Sequence, residues 1–222
     1  MSERLVHRRT KGPASTPAQR LVELQQELSH TQRQLDDTQT AANDLAAKLA
    51  RFHELSEVSF GGIPAAQIWA DFILWESLLN SHKFRAVFEL GTWQGGFSWW
   101  LWAQTKCRTG MNFYTYDAVI PDRWVPEFER RDVFAESAYI GKTMRLSEPC
   151  IVLCDNGNKP RELETFSLEL RTTDSLLVVH DWGTEMLPEN VPGNVEMVYE
   201  EFCVGLGSIS RVFRIKENDA DQ

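Results

Sequence analysis

Residues 87–100, VFELGTWQGGFSWW, decide the fold of this chain. An apolar strand passes through Glu89, the chain then crosses Gly91, Gly95 and Gly96, and a tryptophan-rich helical stretch follows. A structural turn needs one glycine, whereas three glycines beside a carboxylate indicate that something approaches the backbone closely. The stretch therefore predicts a strand, a ligand-binding turn and a helix in that order.

Strands and helices alternate outward from this stretch. We predict strands in RAVFEL, MNFYTYD, CIVLCD, SLLVVHD and SISRVFRI, and helices in IPAAQIWADFILWESLLNS, FSWWLWAQTK, RELETFSLELR and NVEMVYEEFCV. Continuous apolar strands separated by helices predict a Rossmann-like, doubly wound, mostly parallel α/β sheet with helices on both faces. Such sheets bind ligands at the carboxyl ends of their strands. Here these ends carry polar residues, namely Glu89, Asp117, Asp155, His180 and Asp181.

Two further regions precede the sheet. Residues 1–16 form a basic stretch with little to bury, which predicts a disordered arm. Residues 17–57 follow an unbroken 3-4 spacing typical of a coiled coil, and the α/β domain occupies residues 58–222. Such a helix buries its apolar stripe against a second copy of the chain or against another protein. The alternative is that the helix folds back onto the α/β domain. The spaced positions are Leu21, Leu24, Leu28, Thr31, Leu35, Thr38, Ala42, Leu45, Leu49 and Phe52.

Composition limits the class of protein. The chain has 222 residues and a formal net charge of -9, which argues against nucleic acid as a partner because phosphate binding needs a basic face. No apolar run approaches the length that spans a bilayer, so we expect no membrane segment. The four cysteines show no CxxC spacing, which favours free thiols in a reduced, cytoplasmic protein.

The glycine turn differs from a dinucleotide site. It reads E-x-G-x-x-x-G-G in place of GxGxxG, with Glu89 two residues before the first glycine. A carboxylate there repels a diphosphate and attracts an amine or a cation. Asp117, one helix and one strand later, is placed to accept hydrogen bonds from ribose hydroxyls. An adenosine that carries an amino acid and no pyrophosphate meets both conditions, and S-adenosylmethionine (SAM) is such a ligand.

These residues resemble a known family. ELGTWQGGFS looks like motif I of the class I SAM-dependent methyltransferases, and TYD looks like their acidic second motif. The stretch from IVLCDNGNKP to LLVVHDW is similar to a strand-helix-strand segment of one branch of that superfamily. FGGIPAAQIWADFILWESLL resembles the helix before the first strand in cephalosporin hydroxylase-like and rhamnosyl O-methyltransferase-like members. The resemblance covers residues 58–179 and a few beyond.

The resemblance implies roles for these positions. Asp117 would bind the ribose, and the acidic residue after the fourth strand, Asp155, with the pair after the fifth, His180 and Asp181, would hold Mg²⁺ or Mn²⁺. Such an ion would lower the pKa of a substrate hydroxyl. His180 is alternatively the general base. The loop on the methionine side of SAM would comprise Glu89, Gly91, Thr92, Trp93, Gln94, Gly95 and Gly96.

Two features depart from the family pattern. The family's D-G-x-H motif becomes residues 155–159, DNGNK, so its histidine is missing and Lys159 lies nearby. A lysine beside a carboxylate pair has two possible roles, as the charge partner in place of the metal or as a base. Only one helix and one strand are predicted after Asp181, so we expect a shortened C-terminus.

The sequence therefore predicts a SAM-dependent O-methyltransferase that acts on a hydroxyl of a small molecule or sugar. Its candidate catalytic residues are His180, Asp155 and Lys159, and it self-associates through the coiled coil. One alternative is a catalytically inactive SAM-fold domain that serves as a coiled-coil assembly module. Another is a nucleotide-dependent oxidoreductase, which the absence of GxGxxG disfavours.

Overall fold

The structure is a computed structural model that describes residues 20, 24–35, 38 and 58–217. The chain divides into two units, residues 1–54 and 55–222, and each is described by itself. In the first unit the described residues are helical, as predicted for this part of the chain. The basic arm and the seam positions Leu21, Ala42, Leu45, Leu49 and Phe52 lie outside the described residues.

The described part of the second unit contains nine strands and five α-helices. In chain order they are β1 Ser59–Phe60, β2 Ile63–Pro64, α1 Trp69–Ser81, β3 Ala86–Leu90, α2 Gly96–Lys106, β4 Asn112–Asp117, β5 Phe128–Arg130, α3 Ser137–Leu146, β6 Cys150–Cys154, α4 Lys159–Ser167, β7 Leu176–Val179, β8 Val195–Val198, α5 Glu200–Leu206 and β9 Arg211–Ile215, with a 3₁₀ turn at Pro188–Asn190.

Seven strands form one sheet in the order β5-β4-β3-β6-β7-β9-β8. The pairs from β5 to β7 are parallel, and β9 runs antiparallel to both β7 and β8. Strands β1 and β2 form a separate hairpin. The predicted Rossmann-like, mostly parallel sheet is confirmed.

Strand burial explains why the central strands read as continuous apolar runs. Every residue of β3 and β6 is buried, because helices cover both faces of the sheet. Val87 and Ile151 belong to the core under α1, α2 and α5, whereas Phe88 and Val152 belong to the core under α3 and α4. Adjacent residues of one strand therefore enter opposite cores. Large helix side chains that are completely buried in these cores are Leu74, Trp75, Leu101, Ile140, Met144, Leu163 and Phe166.

The C-terminal prediction is wrong in one respect. NVEMVYEEFCV, predicted as a helix, is divided between β8 and α5, so two strands follow Asp181 and the strand pair is complete. Tyr199 separates them with φ 59°, a left-handed conformation that ends the strand and precedes the helix. The C-terminus is therefore not shortened, and this part of the fold expectation is corrected.

Other elements differ less from the prediction. The sequence prediction missed the β1–β2 hairpin, β5 and α3, and it began α4 at Arg161, whereas α4 begins at Lys159. Of the cysteines, Cys150, Cys154 and Cys203 are buried free thiols, and Cys107 is exposed and free. Within the described ranges, no helix combines the length and the hydropathy needed to cross a membrane.

Candidate active site

The strand register brings the predicted polar residues to one edge of the sheet. Leu90 pairs with Tyr116 on one side and with Cys154 on the other, and Cys154 pairs with Val179. Because these strands are parallel, the residues that follow them share the carboxyl edge. That edge carries the glycine turn, Asp117, Asp155, His180 and Asp181.

Segments of the chain itself fill the space beside the three glycines. Gly91 has φ +101°, and a Cβ on it would collide with the backbone of Asp155. A Cβ on Gly95 would collide with the Val125 side chain, and one on Gly96 with the carbonyl groups of the β1–β2 hairpin. The close approach that the sequence predicted is therefore real, and at each glycine the approaching atoms belong to another part of this chain.

Asp117 fixes the turn to the end of β4. Its Oδ2 accepts hydrogen bonds from the backbone N–H groups of Thr92 at 3.0 Å and Trp93 at 3.2 Å, and its Oδ1 accepts one from Val119 N at 2.9 Å. Thr92 is buried, whereas Trp93 and Gln94 are exposed at the tip of the turn. Asp117, the residue predicted to bind the ribose, thus has a structural role in the protein without a ligand.

Glu89 is a buried carboxyl group beneath the turn. Thr115 Oγ1 donates a hydrogen bond to its Oε2 at 2.6 Å. Burial raises the pKa of Glu89 to about 8; the nearby Ser98 hydroxyl and the hydrogen bond from Thr115 oppose this rise, and the charges of Asp155 and Asp117 add to it. Glu89 is therefore mostly protonated at neutral pH, and a cation among these three carboxyl groups would favour its ionised form.

Lys159 lies at the centre of the charged cluster after β6 and β7. Its Nζ lies 3.2 Å from Asp155 Oδ1, 3.0 Å from Asp181 Oδ2 and 2.6 Å from Glu185 Oε2. Burial lowers the pKa of Lys159, but the charge of Asp155 and the hydrogen bonds to Glu185 and Asp181 outweigh this effect and raise it overall. The lysine is therefore a cation at every pH at which the fold is expected to work.

His180 completes the cluster on its buried side. Its Nδ1 lies 3.3 Å from Asp155 Oδ1 and 3.4 Å from Asp181 Oδ1. Burial lowers the pKa of His180, but these two carboxylates outweigh it and raise the pKa to about 10. The hydrogen bond from His180 in turn holds the pKa of Asp181 below its usual range. An imidazolium has no free lone pair, so in this arrangement His180 cannot accept a proton.

Sequence reasoning missed three polar residues of the site. Gln67 Nε2 donates a hydrogen bond to Asp155 Oδ2 at 3.0 Å. Asp71 is fully buried in α1, accepts a hydrogen bond from Ser208 Oγ at 2.6 Å, and has its Oδ2 3.9 Å from His180 Nε2. Polar residues four apart in an otherwise apolar helical stretch were the available signal for Gln67 and Asp71. The third, Glu185, had no such signal, because only the turn after Asp181 places it.

The charged cluster contains the three residues of the predicted metal site. Ligand atoms of Asp155, His180 and Asp181 all lie within 4.8 Å of one another, and two carboxylates with an imidazole suit Mg²⁺ or Mn²⁺ in donor type. However, the Lys159 ammonium contacts the same two carboxylates. The side chains as arranged fit one ammonium, and they do not fit a divalent ion in addition to it.

The sheet defines the class of fold. Five parallel strands followed by an antiparallel pair, with the last strand of the chain inserted beside β7, form the class I methyltransferase sheet. Solved structures with this fold match the chain. One is "cmcI-D160 Mg-SAM", with 14% identity and a TM-score of 0.57 over 72% of this chain and 76% of that chain. A second is "CmcI-N160 apo-structure", with 13% identity and a TM-score of 0.59 over 72% of this chain and 76% of that chain. A third is "cmcI-N160 SAH", with 14% identity and a TM-score of 0.56 over 72% of this chain and 83% of that chain. At these identities the likeness concerns the fold. No family model and no curated protein matches this chain.

Proposed function

We propose that this protein is a SAM-dependent methyltransferase that transfers a methyl group to a hydroxyl of a small molecule or sugar. The observation that carries the proposal is the convergence of Glu89, Asp117 and Asp155 at the glycine turn of a methyltransferase-type sheet. Three acidic groups at one edge favour a cationic ligand, and SAM carries an ammonium and a sulfonium. Of the similar structures, one is named for SAM and another for SAH.

On the cofactor side, the turn and Asp117 would hold the ligand. Each oxygen of a carboxylate accepts more than one hydrogen bond, so Asp117 keeps acceptor capacity for ribose hydroxyls while it binds the turn amides. The exposed Trp93 and Gln94 would cover the ligand from the tip of the turn. Glu89 would lose its proton when the ammonium arrives, because a nearby cation lowers the pKa of a carboxyl group.

On the acceptor side, the charged cluster would bind the hydroxyl. When bound, SAM supplies a methyl group on a positively charged sulfur. Lys159 and His180 would stabilise the negative charge that develops on the hydroxyl oxygen. Asp155 would take the hydroxyl proton, since Lys159 and His180 are already protonated. In-line positioning of oxygen, methyl and sulfur supplies much of the rate. The balanced products are the methyl ether, S-adenosylhomocysteine and one proton.

The predicted metal role is the competing arrangement at this end of the sheet. Asp155, His180 and Asp181 would hold Mg²⁺ or Mn²⁺ only if Lys159 moved away from the carboxylates. A bound ion would polarise the acceptor hydroxyl in place of the ammonium. One of the similar structures is named for Mg together with SAM.

The N-terminal helix would hold two or more copies together. Leu24, Leu28 and Leu35 follow the heptad spacing and are exposed in the single chain. We expect the full chain to run as an oligomer in light scattering after size exclusion. A Leu28→Glu and Leu35→Glu double variant should run as a monomer, with Gln26→Glu as the control. A double variant that keeps the wild-type mass would contradict self-association through this seam.

A catalytically inactive assembly module is the second candidate function. It is favoured by Lys159, whose ammonium already has three carboxylate partners within 3.2 Å. The complete β8–β9 pair counts against this candidate, because the C-terminal part of the sheet is not shortened.

Calorimetric titration of the full chain with SAM and with S-adenosylhomocysteine tests the proposal. We expect micromolar binding of both, and weaker binding by Asp117→Ala. Asp122→Ala, an exposed aspartate in the loop after β4, is the matched control and should bind as the wild type does. A folded wild type that binds neither compound would overturn the enzyme proposal, and stabilisation by NADH alone would favour the oxidoreductase alternative.

A further inference from the structure

We infer that the ammonium of Lys159 takes the position that a divalent ion would hold between Asp155 and Asp181, so that this site works without a metal. The inference concerns the acceptor side of the methyltransferase proposed above, and its catalytic consequence rests on that proposal. The position of the ammonium itself rests on the cluster geometry alone.

The contacts of Lys159 form a complete shell. An ammonium has three N–H donors, and Nζ has three carboxylate oxygens within 3.2 Å, from Asp155, Asp181 and Glu185. The lysine side chain is only 4% exposed. A surface lysine remains hydrated and mobile, whereas this ammonium is removed from water, donates a hydrogen bond to Glu185 and forms ion pairs with Asp155 and Asp181.

The local backbone directs Lys159 into the cluster. Glu162 accepts hydrogen bonds from the backbone N–H groups of Asn156 at 3.1 Å and Asn158 at 3.0 Å, which fixes the loop between β6 and α4. Asn158 then caps α4 by accepting a hydrogen bond from Arg161 N. Lys159 is the first residue of that helix, where the helix dipole disfavours a cation. The carboxylates of Asp155 and Asp181 offset this cost.

An ammonium and a divalent ion exclude each other here. Mg²⁺ binds oxygen at about 2.0–2.1 Å, so an ion shared by Asp155 and Asp181 would lie beside Lys159 Nζ, which contacts the same two carboxylates at 3.2 and 3.0 Å. Two cations at that separation repel strongly in a partly buried site. Removing the ammonium would therefore create the metal site that Lys159 now prevents.

The shell also indicates where an acceptor would enter. Glu185 is the most exposed of the three partners, with a side-chain exposure of 53% against 18% for Asp155 and 28% for Asp181. It is therefore the partner that an acceptor hydroxyl displaces. The displaced position leaves one N–H of Lys159 directed at the hydroxyl oxygen.

Manganese binding, measured by electron paramagnetic resonance on the chelator-treated full chain without SAM, tests the inference. We expect the wild type and Lys159→Arg to leave added Mn²⁺ free, because both keep a cation in the cluster. Lys159→Met keeps the apolar stem and removes the charge, and it should bind Mn²⁺ roughly tenfold more tightly than the wild type or better. Adding Asp155→Asn to Lys159→Met should abolish that binding.

Two results would overturn the inference. One is Mn²⁺ binding by the wild type that Asp155→Asn removes. The other is a Lys159→Met variant that keeps the wild-type circular dichroism spectrum but binds no more Mn²⁺ than the wild type. If Lys159→Met fails to fold, the wild-type measurement with its Asp155→Asn control still decides. SAM titration is a separate experiment. Absence of SAM binding would contradict the proposed function, but it would not affect the inference that the Lys159 ammonium occupies the cation position.

Discussion

The glycine turn after β3 and the charged cluster after β6 and β7 share one edge of the sheet but are held together by different interactions. In the turn, atoms of distant segments pack against Gly91, Gly95 and Gly96, and Asp117 binds two main-chain amides. In the cluster, charged side chains contact one another. Changes to the turn should therefore damage the fold, whereas changes to the cluster should chiefly alter its charge and chemistry.

Gly91→Ala should have the largest effect on stability. The new Cβ meets the backbone of Asp155, and φ +101° is a conformation that alanine rarely adopts. We expect a loss of about 3 kcal/mol or more in the free energy of unfolding, measured by urea denaturation. Gly110→Ala is the matched control, because Gly110 has φ +80° but open space around its Cβ position. Equal losses in the two variants would show that close packing at the turn contributes nothing.

Lys159→Met should have the next largest effect, and a metal should partly reverse it. Removing the ammonium leaves Asp155, Asp181 and Glu185 without their shared partner. We expect a loss of about 2 kcal/mol in the free energy of unfolding. Thermal unfolding with Mn²⁺ at about millimolar concentration should recover part of the melting temperature in this variant, and should leave that of the wild type unchanged. Equal stabilisation of both proteins by Mn²⁺ would show that Lys159 does not exclude a divalent ion from the cluster.

The pH dependence of stability should report on His180. Burial lowers its pKa, but Asp155 and Asp181 at Nδ1 outweigh this effect and raise the pKa from 6.5 to about 10 on folding. Asp71 faces the other ring nitrogen, Nε2, at 3.9 Å. The stabilisation from protonated His180 is fully present below pH 6.5 and is lost as the pH rises through 10. We expect a loss on the order of 1 kcal/mol or more across this range. Urea denaturation of His180→Gln should show a smaller loss, and an unchanged slope would place the titration elsewhere.

Glu89→Gln should have the smallest effect on stability and a clear effect on ligand binding. Burial raises the pKa of Glu89 from 4.5 to about 8, so its stabilising contribution is present below pH 4.5 and lost as the pH rises through 8. Glutamine does not ionise and so loses no stability as the pH rises. At a pH about one unit above the pKa of Glu89, the variant should melt at or above the wild-type temperature. SAM binding should weaken, because the amide cannot become an anion. Unchanged affinity for SAM would show that Glu89 serves packing alone.

The sheet and its polar carboxyl edge could be predicted from the sequence because both follow from local pattern. Apolar strands end at Asp117, Asp155 and His180, and parallel strands place those ends together. Strand β8 was misread because Tyr199 divides an apolar run whose spacing also fits a helix. Asp71 and Glu185 were not predicted, because Asp71 lies within a predicted helix and Glu185 lies in the turn that follows Asp181, and tertiary packing brings both to the cluster.

The glycine turn also constrains the order in which this protein folds. Its three glycines pack against the loop after β6, the loop before β5 and the β1–β2 hairpin, which are separated from the turn by tens of residues along the chain. Contacts of long sequence separation form late, after the loop entropy between them has been lost. The turn should therefore reach its final conformation only when the hairpin has docked on α2.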